Sequence, residues 1–78
     1  MTISGDQVKA ARGLLGWSLM TLANKSPVGE TTIRNFEKGK RRPTAVKIGA
    51  IRRTLEAAGI EFIAEVGGGA GVKQRGAK

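Results

Sequence analysis

Along several stretches of this chain apolar residues recur every three or four positions, and in one stretch they alternate. Val8, Ala11, Leu14 and Leu15 share one side of a helix predicted over residues 5–15. Leu19, Leu22 and Ala23 do the same over 19–25, Ile33 and Phe36 over 30–38, and Ile48, Ile51, Leu55 and Ala58 over 45–58. That spacing is the signature of amphipathic helices. The punctuation agrees with it. Ser4, Ser18, Gly29 and Thr44 stand where helix N-caps belong, and Gln7 completes a capping-box pattern with Ser4. Gly16, Gly39 and Gly59 stand where helices stop, and Ser26-Pro27 breaks the chain between the second and third helices. From Ile60 to Val66 the pattern changes to alternation, with Ile60, Phe62, Ala64 and Val66 on one side, which is a strand signal.

The sequence therefore predicts an all-α domain of four to five short helices, residues 1–66, with a short C-terminal strand. Residues 67–78 read as a flexible, basic, glycine-rich tail. A single strand needs a partner. The simplest is the same strand of a second copy across a twofold axis, with Ile60, Phe62 and Ala64 at the dimer contact. The alternative is an extended tail packed on the domain. Trp17, between the first two helices, reads as a core plug, with base stacking as the other use of a lone tryptophan.

Composition narrows the chemistry. The 78 residues contain no Cys and no His. That excludes cysteine nucleophiles, histidine acid–base catalysis, disulfides and most zinc sites. No nucleophile–base pair or metal cluster can be assembled, so the expectation is a non-enzyme without cofactor or metal. The opening Met-Thr-Ile lacks the cationic start and apolar run of a secretory signal, and no apolar run reaches membrane-spanning length. A cytoplasmic protein is expected. A core this small gains from association, which also favours a homodimer.

The formal net charge is +8, with a sequence pI of about 11.0, the balance of a polyanion-binding protein. Its distribution matters more than its size. Residues 18–53 hold nine basic side chains against Glu30 and Glu37, whereas 54–66 carry only Glu56, Glu61 and Glu65. The positive field is centred on the second and third helices and the loop after them. The third helix presents Glu30, Thr31, Thr32, Arg34 and Asn35 between its apolar positions. The DNA major groove admits one α-helix, and its base edges are read by side chains of this kind. The row is expected to contact bases in double-stranded DNA, with basic groups at its edges meeting phosphates.

These residues also carry a resemblance. Gly16-Trp17-Ser18, Leu22-Ala23, Val28, Thr32-Ile33, Phe36-Glu37, Gly39 and Pro43 resemble the lambda-repressor-like, or XRE-class, helix-turn-helix regulators at that family's spacing. Leu14-Leu15 and the run 55–62 are similar to small single-domain bacterial or phage members. The resemblance covers roughly residues 3–63. It implies a helical domain docking as a dimer on a pseudo-palindromic operator, associated with the bacterial nucleoid. It places base contacts on Glu30, Thr31, Thr32, Arg34 and Asn35, and phosphate contacts on Ser18 and the loop after the recognition helix, on Lys40 and Arg41 first and then on Lys38 and Arg42. It also implies an inner ion pair, Arg12 with Glu37.

Three residues depart from the family pattern. Leu19 stands where Gln is common and cannot make that residue's hydrogen bond to DNA. Pro27 replaces the usual turn glycine, and because proline does not take positive φ the turn is expected to be built differently. Glu30 stands where a neutral amide is frequent, so it either accepts a proton from cytosine N4 or only caps the helix. A second reading is an antitoxin or adaptor module with a protein partner that also binds DNA. A sequence-indifferent DNA coat fits less well, because the third helix is not Lys-rich. RNA binding fits less well too, because Trp17, Phe36 and Phe62 are too few for stacking platforms. No membrane and no small-molecule ligand are expected as partners.

Overall fold

The computed structural model describes residues 3–63 and 71–75. Its elements are α1 (Gly5–Leu15), α2 (Leu19–Lys25), α3 (Glu30–Glu37), α4 (Ala45–Ala57), β1 (Ile60–Ile63) and β2 (Gly71–Gln74). The caps follow the local chemistry. Ser4 Oγ accepts from Gln7 N while the Gln7 side chain accepts from Ser4 N, closing the capping box. Ser18 and Thr44 accept from the backbone N–H three residues on. Gly16 ends α1 at φ 70°, a left-handed conformation that glycine adopts without Cβ strain.

The four helices and the strand β1 enclose a core built from Ile3, Val8, Ala11, Leu22, Val28, Ile33, Phe36, Ile48, Ile51, Leu55, Ile60 and Phe62. Ile3 and Val8 occupy the positions of a hydrophobic staple flanking the Ser4 cap, and both are buried. Leu14, expected inside, is 46% exposed. The buried arc of α1 runs through Val8 and Ala11, and Leu15 rather than Leu14 packs against the core at its end. Trp17 is half-buried against the same core, with Lys25 Nζ 5.4 Å from the centre of its ring. The plug reading of Trp17 fits this position.

The fold class differs from the all-α expectation. Beside the four helices, the described residues form a two-stranded antiparallel sheet in which β1 pairs with β2 of the same chain. Phe62 sits opposite Val72, and Ile60 opposite Gln74. The partner strand thus comes from the segment read as a free tail, and residues 71–75 belong to the folded unit. Gln7 Nε2 donates to the carbonyls of Ile63 and Gly71, tying α1 to both strands. Arg75 N donates to Gly59 O, and its guanidinium to Glu56 O near the end of α4. Ile60 and Phe62, expected at a dimer contact, are 0% and 5% exposed and belong to the protein's own core. The outward side chains of β1 are Glu61 and Ile63. Ala64, the third expected dimer residue, lies outside the described residues.

The turn between α2 and α3 also departs from expectation. Pro27 itself takes φ 29°, although its ring prefers about −65°. Beside it, Ser26 is buried, and its hydroxyl finds no hydrogen-bond partner among the described residues. Strain of this kind costs on the order of 1–3 kcal/mol, and a buried unsatisfied hydroxyl about as much. Pro27→Gly and Ser26→Ala are each expected to stabilise the protein by about 1 kcal/mol, raising the melting temperature by roughly 4–8 °C in thermal unfolding. A lower melting temperature for both would contradict this account of the turn.

Helices α1 and α3 approach closely at Gly5. A Cβ there would lie 2.0 Å from the Phe36 carbonyl oxygen and 2.9 Å from Glu37 Cα. No rotamer relieves a clash with backbone, so Gly5→Ala must push α1 away from the end of α3. The expected cost is about 1–3 kcal/mol, visible as a lower urea midpoint. An unchanged midpoint would show that the two helices are not in contact there.

Candidate nucleic-acid interface

Helix α3 turns Ile33 and Phe36 into the core at 0% and 4% exposure. This leaves Thr31 exposed and Glu30, Thr32, Arg34 and Asn35 half-exposed on its remaining surface. Gly29 precedes it without a side-chain cap, and Glu30 lies in its first turn, where a carboxylate suits the helix dipole.

Two contacts set the position of α3. Val28 and Ile33 anchor it in the core, and the Arg12 guanidinium holds its C-terminal end. Arg12 Nε donates to Glu37 Oε2 at 2.7 Å, Nη2 donates to Oε1 at 2.8 Å, and Nη1 donates to the Trp17 carbonyl at 3.0 Å. The side chains are 17% and 6% exposed. Hydrogen bonding to the Glu37 carboxylate raises the pKa of Arg12 above its ordinary value, against the opposing effect of desolvation. Glu37 is therefore a support of α3 and is turned away from any ligand at its outer face.

The residues expected at phosphates fall into two groups. Lys38, Lys40 and Arg41 are exposed around the loop that follows α3, and the backbone N–H groups of Lys40 and Arg41 donate to Asn35 O, folding that loop back on the helix. Arg42 and Ser18 are already engaged. Arg42 lies over the Phe36 ring at 5.6 Å and its Nη2 reaches Ile3 O at 3.5 Å. Ser18 Oγ caps α2 and shares a 3.0 Å hydrogen bond with Thr21 Oγ1.

One cleft joins some of these parts; Ser18, Glu30, Arg34, Lys38 and Lys40 do not line it. It is lined by Thr31, Thr32 and Asn35 from α3, Arg41 to Thr44 from the loop, and Lys47 from α4. Lys47 and Thr44 were not among the expected contacts. On the sequence Lys47 is one charge off the buried stripe of α4, and only the fold of the loop brings it beside the α3 face. Hydrogen-bonding side chains on one wall and cations on the other make the cleft suited to a polyanion with readable edges. Among the described residues no group of three or more acidic side chains is placed to hold a metal ion. No helix among them is long and apolar enough to cross a membrane.

No family model and no curated protein matches this chain.

Removing Glu37 would strand the Arg12 charge in a mostly buried position. Glu37→Ala is expected to cost about 3 kcal/mol and to loosen α3 first, giving faster amide exchange in Ile33 to Phe36 than in α4. Equal exchange in both helices would argue against a local anchoring role.

Proposed function

We propose that this protein is a sequence-specific double-stranded DNA-binding regulator of the helix-turn-helix type, which lays α3 in the major groove. The observation that carries the reading is the cleft shared by the α3 face and the basic loop. Thr31, Thr32 and Asn35 offer donors and acceptors for base edges, and Arg41 and Lys47 line the same cleft as cations for phosphates. The support behind α3 fits the same role, since a reading helix must hold its register while its outer face is exposed. The resemblance to XRE-class regulators gives the reading its dimeric form, with two copies on a pseudo-palindromic site in the cytoplasm of a bacterium. Ile60 and Phe62 are spent in the core, so the dimer contact would have to lie elsewhere.

Base contacts and phosphate contacts have different signatures. Each good base contact discriminates by about 1–3 kcal/mol, whereas phosphate contacts add affinity for every sequence. With about four cations per protomer on phosphates (Lys38, Lys40, Arg41 and Lys47), the log–log salt slope would be about −7 for a dimer and about −3.6 for a monomer. Selection of sites from a random duplex library, followed by titration at several salt concentrations, tests the proposal. Asn35→Ala is expected to relax base preference with little change in slope. Lys40→Ala is expected to weaken all sequences and flatten the slope by about 2 in the dimer. Failure to enrich any motif would overturn the proposal.

A further inference from the structure

The two charged residues on the α3 face are joined. Arg34 Nη2 donates to Glu30 Oε2 at 2.9 Å across one helical turn, with the side chains 40% and 39% exposed. A surface pair of this kind contributes little to stability, so its main effect is on where the guanidinium points. The bond uses one of the five guanidinium N–H donors and one of the two carboxylate oxygens. Enough remains for a bidentate contact by Arg34 and an acceptor contact by Glu30. Along the helix the two residues are about 6 Å apart, comparable to one or two base-pair steps of a duplex.

Resting on the DNA-reading proposal above, we propose that Glu30 and Arg34 act as one reading unit for adjacent G·C pairs. Arg34 donates to guanine O6 and N7, the pattern a guanidinium fork matches, and Glu30 accepts from cytosine N4–H. Glu30 is also a positioning residue for Arg34. An unpaired arginine at this site would swing to the nearest phosphate and add affinity without information. An unpaired Glu30 would repel the same phosphates. Together they are neutral towards the backbone and selective towards bases. The ligand class is a duplex whose half-site carries neighbouring guanine and cytosine in the major groove.

The test is library selection with the full-length protein and its Glu30→Ala, Glu30→Gln and Arg34→Ala variants, each checked for folding by circular dichroism. The native protein is expected to select adjacent G and C. Glu30→Ala should lose preference at both positions by about tenfold while binding unrelated duplexes as tightly or more tightly. Glu30→Gln keeps an acceptor for Arg34, so guanine preference should return while the cytosine position drifts towards adenine, the base that glutamine reads. If Glu30→Ala leaves the guanine preference intact, the two residues read independently and the coupling is refuted, although DNA reading stands. If the native motif lacks adjacent G and C, the unit is refuted in the same way. If the native protein enriches no motif, the regulator reading falls and the inference with it.

Discussion

The fork of hydrogen bonds from Arg12 is the constraint on which the rest of the structure depends. One guanidinium reaches the carboxylate at the end of α3 and the carbonyl that leads into α2. It thereby fixes three segments relative to one another: α1, the entry to the helix pair, and the helix that carries the outer face. A planar fork suits this task better than an ammonium, because its donors have fixed directions. The close passage of α1 over the end of α3 at Gly5 belongs to the same arrangement. The two backbones must nearly touch for the side chains to meet in this geometry.

Glu30 and Glu37 show how burial decides the meaning of a side chain. Both are glutamates on α3 and both pair with arginine. The buried pair crosses between helices and is fully committed to structure. The exposed pair lies along one helix, spends only part of its hydrogen-bonding capacity and is open to a ligand. Placing a costly desolvated pair behind the helix and a cheap solvated one in front lets the outer surface change with little effect on the core.

Much of the helical framework was legible in the sequence, since Ser4, Ser18, Thr44 and the stopping glycines act locally and leave their marks in consecutive residues. The apolar faces of α3 and α4 were readable for the same reason. The Arg12–Glu37 contact was not readable from spacing and came only with the family resemblance. The strand β2 was missed because Val72 is a single apolar residue between Gly71 and Lys73, too short a pattern for alternation to register. Its pairing depends on a distant partner. Lys47 was missed because the loop that brings it beside α3 closes through backbone bonds to Asn35 that no side chain announces. Pro27 was misjudged in the other direction: the local rule for proline excludes positive φ, whereas Pro27 has φ 29°.

The double duty of Gln7 has a consequence for the order of events in folding. Its bond to Ser4 is local and can form as soon as α1 does. Its bonds to Ile63 and Gly71 join positions 56 and 64 residues apart along the chain. During synthesis the helical part can condense first through short-range contacts, while β1 waits for residues 71–74 to emerge. Late, long-range elements of this kind tend to be the first to reopen in the native state. The amide of Gln7 then works as a latch between a unit that forms early and one that closes late.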